Sequence, residues 1–514
     1  VANANWSIWE TDLIQSRPLV LRGGRVLDPD TDRAEPADIL LSAGSVVSVG
    51  PPGSISPADA EILDASDRLL VPGLVNAHTH AHGGLGRGAV GDQAPLELFL
   101  NAAGAINGQR TLDDKYLSAA LSAAEMVRRG CTASFDLFVE FPAPSAEAMR
   151  AVGQAYSDVG MRAVVAPMLA DRTLYQALPG LLDAIPEPMR STVAKIALAP
   201  YETSLANLRP IFADWPFDRD FIRPGIAPTI PLHCSDEFIV ACARMAKEFD
   251  LPFQTHLAET KVQAVLARAK YGKSMTAHLD ELGALGPNFS GAHGIWIDRA
   301  EMDLIAKRGG RIAHNPGSNL RLGSGVAAIR EMMDTGIEVG IGTDGSNTGD
   351  GQNIFEAARL AAYLSRLQGP EYKKWVTARE AFKAATLGSA RLLGFGKMGR
   401  IAPGFVADIV FLRLDQPHYV PLRSPLMQMM FAESGSAIDR VMIGGRIVFE
   451  NGRLTTIDEA ALRRKAEAAA ERLDAANEGA KKMAASIHDF VGTFCVAHGR
   501  ADCHIRRRLD CLPT

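Results

Sequence analysis

Apolar residues along this chain follow two rhythms, and the change from one to the other divides it. Residues 17–70 run in short segments, "PLVLRGGRVLDPD", "ADILLSAGSVVSVG" and "AEILDASDRLLVPG", where Val, Ile and Leu alternate or cluster between Gly, Asp and Pro. Such spacing predicts strands punctuated by turns. The same style returns within 404–454, in "GFVADIVFLRLD" and "AIDRVMIGGRIVFENGR", so both ends of the chain are expected to feed one small sheet domain. Between them short apolar strands alternate with helical spacing. The predicted strands are 71–78, 131–137, 162–169, 223–229, 252–257, 290–296, 311–315 and 338–344. The segments between them include "DKYLSAALSAAEMVRRG" and "DEFIVACARMAKEFD", with helix-like apolar spacing and each with an acidic start and a basic or glycine-rich finish.

Eight strand-helix units of this total length predict an α/β fold: a (β/α)8 TIM-type barrel over 71–393, with a small β-sandwich domain built from 17–70 and 394–455. The stretch 171–222 is less regular and reads as an insertion. Residues 456–514 form a C-terminal helical extension and tail. The opening of that extension, "DEAALRRKAEAAAERLDAANEGAKKMAASIHDF", is charged and alanine-rich, which predicts a solvated or subunit-facing helix. Residues 1–16 carry two tryptophans without a clear period and are expected to be a flexible arm.

Composition narrows the class of partner. The 514 residues are 47% apolar and 22% charged, with 47 glycines and 29 prolines, the usage of a loop-rich globular enzyme. A net charge of -5 leaves no basic stripe for nucleic acid and no polybasic face for anionic lipid, which points to a small-molecule substrate. No apolar run reaches the length of a membrane span, so no membrane partner is expected and a cytoplasmic location is the default. Six cysteines follow no zinc-ribbon spacing. Cys495, Cys503 and Cys511 lie beside His498 and His504, but free thiols are favoured over a metal knuckle.

Candidate chemistry gathers at strand ends. In "LVNAHTHAHGG", His78 and His80 are two apart and would share a side of the first strand at its C-terminal end. His82 precedes two glycines and reads as a loop residue at the pocket mouth. A His-x-His pair alone is weak, since a packed histidine pair is equally common. Three further strand ends change the odds: His256 with Glu259 three residues on, His293, and Asp344 in "GIGTDGSN". Strand ends of one barrel point at a common centre, and histidines with a carboxylate suit zinc or a similar divalent ion.

"VPGLVNAHTHAHGG", "FQTHLAET", "SGAHGIWID", "RIAHNPGSNLRLGSG" and "GIGTDGSN", in this order and spacing, resemble the amidohydrolase superfamily in its mononuclear branch of cytosine, guanine and adenosine-type deaminases and s-triazine hydrolases. The resemblance covers roughly 17–455. It implies that His78, His80, His256 and Asp344 are metal ligands, and that Glu259 and His293 hold the acid-base and polarising positions, with Asp344 also touching the reacting water. "GIAPTIPLHCSD" offers no lysine at the fourth strand end, which implies one divalent ion, zinc or alternatively iron. Such an ion brings its water towards neutral pKa and so supplies hydroxide.

Departures from the family pattern concern the substrate. Thr229 stands where deaminases of this branch often carry the histidine of Pro-His-Ala-Pro-Tyr, and His233 follows four residues on, which argues against a close S-adenosylhomocysteine deaminase relative. The loop after the first strand lacks the branch's usual tryptophan. Arg87, Glu97, Thr229 and His233 are pocket candidates, each equally open to a structural role. "HNPGSN" is read as a turn shaping the rim, His278 as a solvated helix residue, and "GDGQN" as no phosphate loop for want of the lysine. The expected activity is hydrolytic deamination of a nitrogen heterocycle of purine, pterin, pyrimidine or triazine type. The alternatives are cleavage of an exocyclic amide, urea or carbamate by the same site, and a non-catalytic scaffold. Family habit suggests a homo-oligomer, a dimer.

Overall fold

The computed structural model describes residues 17–349 and 351–508, so the expected N-terminal arm, residues 1–16, and Cys511 lie outside the described residues. Near the N-terminus come β1 (Leu19–Asp28), β2 (Arg33–Ser42), β3 (Ser45–Gly50), β4 (Glu61–Asp64) and β5 (Arg68–Pro72). The eight barrel positions follow: β6 (Leu74–Thr79), β7 (Cys131–Phe138), β8 (Arg162–Leu169), the split pair β9 (Ile222–Pro224) and β10 (Ala227–Pro228), β11 (Phe253–Leu257), β12 (Phe289–His293), β13 (Arg311–His314) and β14 (Glu338–Ile341). Then β15 (Ile409–Arg413), β16 (Ile438–Ile443), β17 (Arg446–Glu450) and β18 (Arg453–Leu454) return to the first group.

Strands from the two chain ends share one sheet, in the order β18-β17-β16-β15-β5-β1-β2-β3, with β4 on β1. The junction is the antiparallel pairing of β5 with β15, from Pro72 opposite Ile409 to Arg68 opposite Arg413. The fold is thus a (β/α)8 barrel with a small β-sandwich domain drawn from both ends, as the apolar rhythm predicts.

The barrel is two parallel arcs. β6 through β10 form one, and β11-β12-β13-β14 the other. A parallel bridge between Ile226 and Phe253 joins them on one side. On the other, the Asp344 amide donates to the His78 carbonyl at 3.0 Å. The fourth position is broken at Gly225, where a Cβ would sit 2.7 Å from Val164 Cγ1. Gly342 serves the closing seam similarly, since a Cβ there would lie 2.9 Å from the His78 backbone. One face of β6–β8 packs Val75, Ala77, Phe135, Leu137 and Val164 into a single cluster, while Cys131, Ala163 and Val165 pack outward against helix residues such as Met149 and Val152. Arg162 on β8 makes a buried ion pair with Asp408, Nε to Oδ2 at 3.0 Å, tying the barrel to the sheet beside it.

Several expectations are corrected. β12 stops at His293 rather than 296, and β14 at Ile341 rather than 344. His293 (φ 71°) adopts left-handed backbone at the end of β12, which a strand cannot continue through, and so does Asp344 (φ 63°) in the loop after β14. "HNPGSN" opens a short helix, Pro316–Arg321, with proline at its first position where the missing N–H is harmless. His278 is buried, not solvated: its ring stacks on Tyr271 at 3.8 Å and Nε2 meets Asp236 Oδ1 at 2.9 Å. The C-terminal extension is three helices, Glu459–Ala476, Glu478–Ser486 and His488–Gly499. Asn477, buried at the first break, donates to the carbonyls of Gly108 and Leu473, so the helix bends onto the barrel and buries Leu462, Ala466, Ala469 and Leu473. Among the described residues no helix is long and apolar enough to cross a membrane.

Candidate metal centre

Six residues converge at the C-terminal end of the barrel. His78 comes from β6, His80 from just beyond its end, His256 from β11, Glu259 from the loop beyond it, His293 from the end of β12, and Asp344 from the loop after β14. A register shift between Asn76 and Thr79 in the β6–β7 pairing re-aims the strand end. Asn76 thus turns outward to Thr343 at 2.7 Å, while His78 reaches inward to Gln254.

Each inward imidazole is held by an acceptor on Nδ1. The partners are Gln254 Oε1 for His78 (2.6 Å), the Leu137 carbonyl for His80 (2.7 Å), the Thr229 carbonyl for His256 (2.6 Å) and Asn319 Oδ1 for His293 (2.8 Å). Gln254 is itself fixed, because its amide donates to the Ala77 carbonyl and Ser290 Oγ. A carbonyl oxygen can only accept, so these contacts place the hydrogen on Nδ1 and leave the Nε2 lone pair facing the centre. That is the arrangement by which outer partners prepare histidines for a metal.

At the centre the lone pairs crowd. His80 Nε2 and His256 Nε2 stand 3.0 Å apart, and Asp344 Oδ1 is 3.3 Å from His80 Nε2 and 3.7 Å from His78 Nε2. His78 Nε2 and Glu259 Oε1 are buried without a hydrogen-bond partner. Unpaired buried acceptors and facing lone pairs are costly unless a cation lies among them. His78, His80 and Asp344 offer ligand atoms close enough to share one ion, as do His78, His256 and His293, and Glu259, His293 and Asp344. Among these, His293 Nε2 is also 3.4 Å from the Asn315 amide, and 3.7 Å from Glu259 Oε2. The donor set therefore fits a divalent ion of the zinc type.

Burial disfavours a charge on His78, His256 and His293. Burial, then the neighbouring histidines, holds His256 down to about 3 and His78 well below its ordinary value; burial also lowers His293. Burial alone would raise the Asp344 carboxyl, but His80, His78 and His293 with the Ser318 hydroxyl, which donates at 2.6 Å, hold it below the usual carboxylate range. Glu259 goes the other way: burial, Asp344 and Glu97 push it well up. A carboxyl poised to keep a proton beside one that cannot is the pairing that acid-base chemistry requires.

The pocket candidates divide. Glu97, on helix Leu96–Ile106, is buried and accepts from the Thr260 hydroxyl at 2.7 Å, one residue from Glu259. Thr229 contributes its carbonyl to His256 rather than a side chain. His82 lies past the strand in a short turn, its ring 5.2 Å from that of His80. His233 is buried, and burial followed by Lys270 lowers it to about 4; its carbonyl accepts from the Arg172 amide at 3.1 Å. Arg87 is exposed and paired with Glu125, so the structure does not bring it to the centre. Sequence reading missed Gln254, Ser318, Asn319 and Gln352. Gln254 stands two before His256 and shares its face, a signal that was available. Gln352 Nε2 donates to the Asp344 carbonyl at 2.8 Å and its oxygen accepts from Thr79 and Thr343, which gives "GDGQN" a positioning role.

Fold and centre together define a barrel hydrolase of the metal-dependent class. The chain belongs to the amidohydrolase family, whose model matches residues 69–448. It is 31% identical over 470 residues to a 5'-deoxyadenosine deaminase of Methanothermobacter thermautotrophicus, covering 90% of this chain and 100% of that one. It is also 31% identical over 446 residues to a 5-methylthioadenosine/S-adenosylhomocysteine deaminase of Syntrophobacter fumaroxidans, covering 86% and 94%. Among solved structures, an adenosine deaminase from Xanthomonas campestris with bound zinc matches with a TM-score of 0.77 at 27% identity, over 89% of this chain and 98% of that one. Atrazine chlorohydrolase from Arthrobacter aurescens TC1, complexed with zinc, matches with 0.76 at 27%, over 88% and 100%. The departure at Thr229 thus does not separate the chain from S-adenosylhomocysteine deaminases across the whole sequence. In this fold Thr229 serves through its backbone carbonyl, which any residue supplies.

Proposed function

We propose that this protein is a metal-dependent aminohydrolase that replaces the exocyclic amine of a nitrogen heterocycle by oxygen, with purine nucleosides the first substrates to try. The observation that carries this is the set of Nδ1-anchored imidazoles whose Nε2 atoms face Asp344, with an unpartnered Glu259 oxygen beside them. His78, His80, His256 and Asp344 would hold one divalent ion, zinc being the ion recorded in the similar structures. When bound, it supplies Lewis acidity that lowers the pKa of a water towards neutral.

The chain's own residues do the rest. Glu259 accepts the proton the water loses and returns it to a ring nitrogen or to the departing amine, so that water and the C–NH2 group become C=O and ammonia. Its raised affinity for a proton suits the return step. His293, steadied by Asn319, lies against Glu259 and Asp344 and faces the charge that builds on the attacked carbon's substituents. Asp344, fixed by Ser318 and the Gly345 amide, accepts a hydrogen bond from the water. In this reading the catalytic unit is the barrel, 71–393, supported by 17–70 and 394–455 and extended by 456–514.

Ammonia release from a panel of purine nucleosides, pterins, pyrimidines and triazines tests the proposal, against amine release from ureas and carbamates. Ammonia from at least one heterocycle is expected. Turnover confined to ureas or carbamates would transfer the same residues to amide-type cleavage.

A further inference from the structure

Glu259 is aimed by its backbone rather than by its side chain. Its Oε1 is buried with no partner, and its Oε2 lies 3.7 Å from His293 Nε2, beyond hydrogen-bond distance. The residue before it, Ala258, takes up left-handed backbone (φ 44°), which a non-glycine residue keeps only where its surroundings enforce it. Its neighbours supply that enforcement. The Trp296 amide donates to the Ala258 carbonyl at 2.9 Å, the Glu259 amide donates to Gln263 Oε1 at 2.9 Å, and the Thr260 hydroxyl donates to Glu97 Oε1 at 2.7 Å. With its hydrogen spent on Glu97, Thr260 Oγ1 turns a lone pair to the Gln263 amide at 3.2 Å and caps helix Lys261–Tyr271. Glu97 therefore orients the hydroxyl that fixes Gln263, and Gln263 holds the amide of Glu259.

The C-terminal extension holds Glu97 in turn. Glu97 is buried in the first turn of helix Leu96–Ile106. Helix His488–Gly499, beyond the residues 69–448 that match the family, packs against both Leu96–Ile106 and Lys261–Tyr271, the helices that bring Glu97 and Thr260 together. From it the buried Cys495 turns its thiol to the Glu97 carboxyl. Asn101, one turn on from Glu97, donates to the Ala484 carbonyl at 2.9 Å, and further along Arg507 donates to the Ile295 and Ile297 carbonyls at 2.9 and 3.0 Å. Burial pushes the Glu97 carboxyl up, against the Thr260 hydroxyl, the Cys495 thiol and Arg508, so it is disposed to keep a proton and an amide imitates it closely.

We propose that Glu97 is a positioning residue for Glu259: closed over by helix His488–Gly499, its hydrogen bond to Thr260 fixes the loop that aims the Glu259 carboxyl at the centre. That Glu259 carries the proton of the reaction rests on the function proposed above; that Glu97 fixes its loop does not.

The first test is therefore made without turnover. Amide hydrogen exchange over 257–264 is compared in full-length, metal-loaded wild type, Glu97→Leu and Glu97→Gln, with Glu97→Met in place of the leucine variant should that fail to fold. The apolar variant should exchange there about 10-fold faster while the strands of the barrel exchange as in wild type, and the glutamine, which keeps an acceptor for Thr260, should restore protection. Unchanged exchange in the apolar variants, or equal loss in glutamine and leucine, would overturn the proposal. With any substrate that is turned over, Glu97→Leu should lower kcat about 10-fold to 100-fold with little change in KM, glutamine should rescue most of the loss, and Glu97→Leu should add little to Thr260→Val. A loss carried by KM alone would make Glu97 a substrate contact, and additive losses in the double variant would separate it from Thr260; either result contradicts the assignment. If no heterocycle is deaminated but the local exchange and its rescue hold, the positioning role stands and the deamination reading falls.

Discussion

The same barrel strands carry two regions of opposite character. Along β6 to β8 one face of the middle is apolar, with Val75, Ala77, Phe135, Leu137 and Val164 in contact and none exposed. A few residues further, at the C-terminal ends, the interior holds imidazoles and carboxyls, two non-glycine residues in left-handed backbone, and acceptors with no partner. Left-handed backbone and unpaired polar atoms thus stand where chemistry is expected, and the apolar belt below supplies the stability that lets the end remain so. Changes in one region should therefore register as activity or metal content, and changes in the other as stability.

The largest effect is expected from Glu259→Gln. Amide for carboxyl keeps shape and removes the proton carrier, so turnover should fall about 10²-fold to 10⁴-fold while metal content and melting temperature stay near wild type. Full activity in this variant would break the assignment. In the apolar belt, Phe135→Ala should cost about 3–5 kcal/mol in chemical denaturation through the cavity it leaves, with metal stoichiometry unchanged in the protein that still folds. Metal loss there without a loss of stability would erase the distinction.

His233 sharpens the comparison through pH. Its ordinary value of 6.5 drops to about 4 in the fold, so the unfolded chain takes up a proton that the folded one refuses between those values. Stability carried by this group is complete above about pH 6.5 and is lost as the pH falls towards 4. The loss amounts to about 3 kcal/mol. Denaturation midpoints across that window should show a slope that His233→Asn reduces. The smallest effect is reserved for the residues that aim the ligands. Gln254→Leu and Asn319→Ala should each lower metal affinity or activity about 10-fold to 100-fold without unfolding the barrel.

The strands were legible because parallel strands buried on both faces are short apolar runs bounded by helices of clear period. The six residues at the centre were legible because they fall at strand ends in a spacing that few other folds require. What the linear pattern hid has physical causes. β12 ends early because His293 turns left-handed, and β14 ends at Ile341, ahead of the left-handed Asp344; His and Asp enter that region more often than most residues, yet too seldom to mark a strand's end. Asn-Pro-Gly-Ser has the composition of a turn, so the helix at Pro316 and the grip of Ser318 and Asn319 on Asp344 and His293 were not apparent. His278 looked solvated because its partners, Tyr271 and Asp236, come from other elements. The tail's docking through Arg507 depends on contacts some two hundred residues away, beyond any local signal.

Metal content per chain, measured on purified wild type beside His78→Ala and Asp344→Ala, tests the central claim most directly. One equivalent of zinc or another divalent ion in wild type, lost in both variants while their barrels stay folded, is the predicted result. Two equivalents in wild type, or a wild type that takes up no metal when supplied with it, would contradict it.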